Sequence, residues 1–424
     1  MLDLKFIRDH TELVKTAAKE KKFEADVDAV IRWDDERKVV IRKVEDLKAR
    51  RNKASEEVAK LKKAGQNADA VIAETKSVGE EIKALDEQLK VIEKNLRDVL
   101  LTIPNVPHPS APQGTSPEDN QTIFTWGTMP SADFELKPHW ELAEKHNLID
   151  FATGVKIAGA GFPVYRGAGA KLQRALINFF LDSAADNGYT EVQPPIVVNT
   201  DSATGTGQLP DKEDQMYVVT RDEFFLIPTA EVPVTNIHRE MTLKAEQLPI
   251  KYAAYTPCFR REAGSYSKDV RGLNRLHQFD KVELVKFVHP DTSYDELESL
   301  RMDAERLLQA LQLPYRTLLM CRGDMGFTQT KKYDLEVWAA GQKRWLEVSS
   351  CSNFESFQAR RMNIRYKDNQ TGKPEFVHTL NGSGLALPRI VAAIMENYQT
   401  DEGTIMVPQV LRKYMGMDII SATT

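Results

Sequence analysis

The chain has 424 residues, enough for one large core or two domains, and its 42% hydrophobic and 28% charged content belongs to a globular chain, not a disordered one. A formal charge of -5 excludes a uniformly basic coat, so any contact with nucleic acid has to come from local patches. Cys258, Cys321 and Cys351 show no paired spacing, which speaks against a disulfide framework or zinc knuckle; with charges in the first five residues and no apolar run of spanning length, the expected home is a reducing cytoplasm without membrane contact.

Residues 1 to 26 predict a short helical lead-in anchored by Leu2, Leu4, Ile7, Leu13 and Val14. From about residue 28 the positions Trp33, Arg37, Val40, Val44, Leu47, Arg51, Ala54, Val58 and Leu61 alternate spacings of four and three, which is a heptad seam. After a break at Ala64-Gly65-Gln66-Asn67 a second seam runs through Val71, Thr75, Val78, Ile82, Leu85, Leu89, Ile92, Leu96, Val99 and Ile103. Two seams and a short turn predict an antiparallel coiled-coil hairpin over about 28 to 103. About 38 residues of helix reach roughly 57 Å, more than is needed to cover one face of a domain. Lys48, Arg50, Arg51, Lys53, Lys60, Lys62 and Lys63 gather toward the tip of the first helix. Such a strip suits a phosphate backbone and equally suits the solvated flank of any coiled coil.

The run Ile103 to Pro112 carries four prolines and cannot continue a helix, so the domain boundary is placed there, with residues 1–110 on one side and 111–424 on the other. Beyond it, Trp140 to His146 and Lys171 to Asn187 read as helices. Strand-like runs cover Glu191 to Val198, Met216 to Val219, Phe224 to Ile227, Cys258 to Arg261, Val282 to Val288 and Leu335 to Trp338. Together they predict an α+β domain with a mostly antiparallel sheet flanked by helices. Within it, Phe259 to Glu283 reads as a strand, a long mobile hairpin loop rich in Gly, Ser, Lys and Arg, and a second strand. An Arg fork can bind a phosphate or carboxylate bidentately, and the face of Phe279 can stack on a purine. Adjacent Arg and Glu also read as strand-paired surface charge, and this stretch alone does not choose between the two.

The rest of the chain supplies a resemblance. Phe259 to Glu262 resembles the second signature of class II aminoacyl-tRNA synthetases. Asn381 to Arg389 resembles the third, a Gly-rich turn entering a helix that carries an essential Arg. Gly188 with Pro194 and Pro195 resembles the first, which lies at a subunit interface. More narrowly, Thr229-Ala230-Glu231, HQFDKVE at 277 to 283, EVSSCSNFESFQARRMN at 347 to 363 and LNGSGLA at 380 to 386 are similar to seryl-tRNA synthetases of the bacterial type.

That resemblance implies a class II catalytic domain behind the hairpin, ATP and L-serine as substrates, Mg2+ as the metal, and a homodimer. It also implies that the hairpin grips the long variable arm of tRNA(Ser), with tRNA(Sec) left open as a second substrate. The catalytic residues would be Arg260, Glu262 and Arg389. Arg260 would hold the amino-acid carboxylate and the α-phosphate together, and Glu262 would accept from the adenine amino group. Phe279 and Arg389 would sandwich the base, and Leu276 would close the pocket. Arg261, Val348 and Ser349 complete the implied ATP set, and Glu347 and Ser350 are the implied metal ligands. Thr229, Ala230, Glu231, Arg260, Glu283, Asn381 and Ser383 would surround serine. Two other readings stand beside this one: a paralogue that passes a small amino acid to a carrier protein, and a scaffold whose coiled coil is the working part. The long basic hairpin speaks against the first, and Arg260, Glu262, Glu347 and Arg389 together speak against the second.

Overall fold

The computed structural model describes residues 1–262 and 271–421, so residues 263–270, part of the loop expected after Phe259, lie outside the described residues. The chain forms two units, one of residues 1–19 and 23–104 and one of residues 20–22 and 105–424.

In the first unit the lead-in is two short helices, α1 (Leu4–Asp9) and α2 (Thr11–Glu20). The two heptad seams become α3 (Val27–Lys63, 37 residues) and α4 (Asp69–Leu101, 33 residues). Asp26 caps α3 by accepting from the Ala29 amide, and Lys60, Lys62 and Lys63 complement the dipole in its last turn. Every seam position from Trp33 to Val99 is buried or half-buried, with Val40, Val44 and Ile92 packed against Trp33, Leu85 and Leu89. That continuous stripe binds the two helices into one antiparallel hairpin. On its outer face Lys48, Lys53, Lys60, Lys62 and Lys63 are exposed, whereas Arg50 is already engaged by Glu74 across the hairpin.

The second unit is built on one eight-stranded sheet. Its strands in chain order are β1 (Gln121–Trp126), β2 (Thr190–Glu191), β3 (Ile250–Phe259), β4 (Gln278–Val288), β5 (Tyr315–Leu319), β6 (Lys331–Ala339), β7 (Arg344–Asn353) and β8 (His378–Ala386). They are ordered β1-β5-β6-β7-β8-β4-β3-β2, antiparallel throughout except for the short parallel pairing of β2 with β3. Helices α5 (His139–Lys145), α6 (Gly167–Asp186), α7 (Ser293–Ala310) and α8 (Leu387–Asn397) flank it. Leu172, Leu176 and Phe180 of α6, Leu297 and Leu300 of α7, and Ile390 and Ile394 of α8 join Val282, Leu335 and Val337 of the sheet in one core. Each such side chain contributes about 1.5–3 kcal/mol by leaving water. Among the described residues no helix is long and apolar enough to cross a membrane.

The expected class, α+β with a helical hairpin, is the one found, and several element assignments need correction. Glu191 to Val198 is not one strand: Thr190–Glu191 joins the main sheet and Val197–Val198 a small separate one, because Pro194 and Pro195 between them have no amide to donate to a ladder. Cys258 to Arg261 is the tail of a ten-residue strand that ends at Phe259, leaving Arg260 and Arg261 beyond it. The helix expected from Lys171 starts at Gly167. The Gly-rich run from Asn381 is no turn: Asn381 to Ala386 is the second half of β8, a central strand whose small residues let neighbouring side chains close over it.

Two irregularities in the ladders matter for the site. Leu335 pairs with Ser349 and Glu336 with Glu347, so Val348 is an extra residue in β7. Lys281 pairs with Ala386 and Glu283 with Ser383, so β8 takes one more step than β4 over the same span. Residues three apart on a regular strand face opposite ways; the extra residue at Val348 returns Glu347 and Ser350 to one side.

Candidate active site

A cleft of about 480 Å3 opens over β4, β7 and β8 and the segments leading from β3. Strand alternation places Phe279, Lys281 and Glu283 of β4 on the cleft side, while Val282 and Leu284 enter the core. Lys281 and Glu283 form a buried ion pair, Nζ to Oε2 at 2.5 Å, with side chains 8% and 3% exposed. The Thr229 hydroxyl closes the triangle, donating to Glu283 Oε2 at 3.1 Å and accepting from Lys281 Nζ at 2.8 Å. Ser383 lies opposite Glu283 in register, and the buried Asn381 side chain has an amide nitrogen without a partner among the described residues. Across the cage Glu231 accepts from Gln358 Nε2 at 2.6 Å. Burial first, then the charge of Glu283, pushes the Glu231 carboxyl up from the usual range. The result is a small, polar corner with both donors and acceptors.

The other side of the cleft is cationic. Lys212, Arg260, Arg275, Lys332 and Arg389 join Lys281 around it, against the carboxylates of Glu231, Glu262, Glu283 and Glu347. Arg260 donates from Nε to the Pro228 carbonyl at 3.3 Å, and its guanidinium lies over the Phe279 ring at 5.1 Å from the centroid. That cation occupies the face on which a base was expected to stack, so a purine there needs the opposite face or a swing of Arg260. Glu262, in the left-handed region at φ +50, pairs with Arg275 at 2.8 Å. Arg389, in the first turn of α8, donates to the carbonyls of Glu347 at 2.6 Å and Asn274 at 3.3 Å.

Glu347 faces the cleft and solvent reaches it, although protein surrounds it on the other sides. Burial works against its charged form, but Lys332, then Arg389, Arg260 and Lys281, outweigh that and hold its carboxyl below the usual range. Behind it Asp334 is paired to Lys332 at 3.0 Å and sits opposite Ser350. Burial pushes the Asp334 carboxyl up from the usual range against the pull of Lys332.

Of the residues named from the sequence, Thr229, Glu231, Arg260, Glu262, Leu276, Phe279, Glu283, Glu347, Val348, Ser349, Ser350, Asn381, Ser383 and Arg389 all line this cleft. Ala230 does not: its methyl is sealed in a second core cluster with Val234, Ala254 and Val285. Arg261 turns away, its amide donating to the Gln215 carbonyl and its guanidinium to that of Asp214. The Ser349 hydroxyl is spent on the Ser383 carbonyl at 2.6 Å. Sequence reasoning passed over Lys281, Lys332, Asn274 and Arg275. The signal for Lys281 was available, since alternation from Phe279 to Glu283 requires it on the same face. Asn274 and Arg275 sit in irregular chain that no periodicity marks.

Two family models match the chain: the tRNA synthetase class II core domain (G, H, P, S and T) over residues 217–398, and the seryl-tRNA synthetase N-terminal domain over residues 1–107. The chain is 55% identical over 426 residues to a serine--tRNA ligase of Salinibacter ruber, covering 100% of both chains. It is 54% identical over 417 residues to that of Geobacter sulfurreducens, covering 98% of this chain and 99% of the relative. Among solved structures, seryl-tRNA synthetase from Pyrococcus horikoshii complexed with ATP superposes with a TM-score of 0.93 at 35% identity, covering 100% of both chains. A Giardia lamblia prolyl-tRNA synthetase shares the fold at a TM-score of 0.57 and 15% identity, over 66% of this chain and 57% of that one.

Proposed function

Since this chain belongs to the seryl-tRNA synthetase family of bacterial type, within class II of the aminoacyl-tRNA synthetases, we propose that it activates L-serine with ATP and passes the serine to the 3′ end of tRNA(Ser). The observation that carries the reading is the junction, in one cleft, of a small polar cage with a cation-rich wall. In the first step an oxygen of the serine carboxylate attacks the α-phosphorus of ATP, the bond to the β-phosphate breaks, and pyrophosphate leaves. In the second a ribose hydroxyl of the tRNA attacks the seryl carbonyl and AMP leaves.

Both reactants of the first step are anions, so the protein has to bring like charges together and spread the charge that develops on phosphate oxygens. Arg260 is suited to this, because its Nε is tied back to Pro228, which leaves the outer nitrogens as a fork between the carboxylate and the α-phosphate. Arg275 and Lys332 surround the leaving side, with Glu262 left for the adenine amino group and Phe279 and Arg389 for the faces of the base. Serine's ammonium suits Glu231 and Glu283, and its hydroxyl suits Thr229, Ser383 and the unpartnered Asn381 nitrogen. Alanine would leave these buried groups unpaired, whereas threonine has to be excluded by shape.

The metal site is read the same way. Among the described residues no cluster of three His, Cys, Asp or Glu side chains is set to hold an ion, and none donates to the Glu347 carboxylate. A carboxylate and a hydroxyl turned to one side by the Val348 bulge fit Mg2+, which takes one or two protein oxygens and the rest from phosphates and water. When bound, Mg2+ supplies neutralisation of phosphate charge.

We assign the grip on tRNA to residues 1–110 and the chemistry to residues 111–424. The exposed lysines of α3 suit phosphates of double-stranded RNA, which a helical hairpin can read by shape alone. A grip of that kind does not exclude tRNA(Sec), which belongs in the same charging assay. A homodimer through the segment around Gly188 to Pro195 completes the reading; beside it Ile196 and Val197 are 38% and 37% exposed. Sedimentation as a monomer at micromolar concentration would remove the dimer. The deciding experiment is ATP–pyrophosphate exchange across a panel of amino acids: serine alone should support exchange, and no exchange, or exchange with another amino acid in its place, overturns the assignment.

A further inference from the structure

The two sides of the cleft are held by different means. Glu283, Asn381 and Ser383 of the serine cage stand on strands, but Leu273, Asn274, Arg275 and Leu276 line the nucleotide side from a stretch that is neither helix nor strand. What fixes that stretch lies outside the cleft lining. His139, the first residue of α5, and Glu396, near the end of α8, are both 0% exposed, with His139 Nδ1 and Glu396 Oε1 2.8 Å apart. The same carboxylate also takes the His139 amide at 2.9 Å, the Gln342 side chain at 2.8 Å and, on its other oxygen, the Gln342 amide at 3.0 Å. The other imidazole nitrogen, Nε2, accepts the Leu273 amide at 2.8 Å. An acceptor at Nε2 requires the ring proton to sit on Nδ1, facing Glu396, so the carboxylate selects the tautomer that can hold Leu273.

Neighbouring contacts repeat the attachment. Arg271 lies over the ring of Trp140 at 4.8 Å, and Asn274 donates to Gln342 Oε1 at 2.8 Å. Gly272 has φ +67, and a Cβ there would come within 2.1 Å of His139 Nε2, so the backbone passes the imidazole at a distance only glycine allows. From the anchored stretch, the Asn274 carbonyl accepts from Arg389 and Arg275 pairs with Glu262.

We propose that His139, set by Glu396, is a positioning residue for the nucleotide: by holding Leu273 it fixes Asn274, Arg275 and Leu276, and through them Arg389 and Glu262. The inference rests on the ATP-dependent reading above. Among the described residues this stretch reaches Arg389 and Glu262 on the nucleotide side, so the effect should fall on ATP.

In serine-dependent ATP–pyrophosphate exchange, His139→Ala should raise the KM for ATP about tenfold or more, as expected for one lost buried hydrogen bond, while the KM for serine stays within about twofold. His139→Gln, whose amide oxygen can take the Leu273 amide, should recover most of the loss. A rise of both constants together, no change in either, or a Gln variant no better than Ala overturns the proposal. Should His139→Ala not fold, hydrogen exchange on the intact wild-type protein decides: amides of 271–276 protected before ATP is added support the anchor, and amides that exchange freely until ATP is added overturn it. Wild-type exchange with serine is measured alongside. If it is absent, the parent reading fails; if it is present and the His139 variants show no selective effect on ATP, only the anchor fails.

Discussion

Replacing Glu283 by Gln tests the serine cage at its most strongly coupled point. Glu283 Oε2 takes both Lys281 Nζ and the Thr229 hydroxyl, and the ion pair is almost wholly buried. Gln keeps the volume and an oxygen for Thr229 but removes the anion beside Lys281. Leaving one partner of a buried pair uncompensated costs about 3–5 kcal/mol, and because water can enter from the open cleft the lower figure applies. That is a cost in stability; serine separately loses a charged acceptor for its ammonium, about 1.5–3 kcal/mol, which at about 1.4 kcal/mol per factor of ten is a fall of roughly 10- to 100-fold in kcat/KM for serine. The KM for ATP should move by less than about threefold, because the nucleotide wall is held by other contacts. ATP–pyrophosphate exchange with each substrate varied in turn gives both constants, and a melting curve reports on folding. Adding Lys281→Met to Glu283→Gln removes the stranded charge, so the double variant should be more stable than the two single losses summed. A drop in serine kcat/KM below about tenfold, or an ATP constant that climbs as steeply, refutes this account of the cage.

Replacing residues 28 to 103 by a short flexible linker should leave seryl-adenylate formation largely intact while tRNA charging collapses; equal charging by the shortened protein would dismiss the hairpin as the tRNA grip. Lys48→Ala, Lys60→Ala and Lys62→Ala should each flatten the log-log salt dependence of tRNA binding by roughly 0.7–0.9, and Arg50→Ala by less, because Glu74 already holds that guanidinium. Burial, reinforced by the charges of His289 and Arg360, pulls His378 from 6.5 down to about 4. Between those values the unfolded chain takes up the proton first, so stability present above pH 6.5 is lost as pH falls toward 4, by about 3 kcal/mol at most. His378→Gln should therefore lose less stability than the wild type between pH 7 and pH 5 in urea titrations, and equal losses would show that His378 does not set the acid limb.

The hairpin was legible because a heptad seam is a local pattern: its spacing alone predicts which side chains become buried, and Trp33 through Val99 do so. Strand existence in the second unit was also readable from alternation. Strand extent was not, since Ile250 to Pro257 carries no regular alternation and is a strand only because β4 pairs along its whole length. Local signals misled where tertiary context reversed them. A Gly-rich run reads as a turn, yet in β8 the glycines admit the Cys351 sulfur and the Leu284 side chain close to the backbone. The pairing of Glu347 with Ser350 was reachable through resemblance, but its cause, the extra residue at Val348, exists only in the register between two strands. The His139–Glu396 pair spans 257 residues of chain, and nothing in either local sequence points to the other.

Glu283, Ser383 and Asn381 stand on the central strands β4 and β8, whereas much of the nucleotide wall hangs on connecting chain. Connections tolerate insertion and drift; interior strands do not, because a shift of one residue turns each inward side chain outward. The share of the amino-acid preference carried by these three residues is therefore the part least open to change by exchanging or lengthening loops. A laboratory effort to charge a different amino acid would have to substitute cage side chains one for one within a fixed ladder, and would find the tolerance it needs on the ATP side, where none is required.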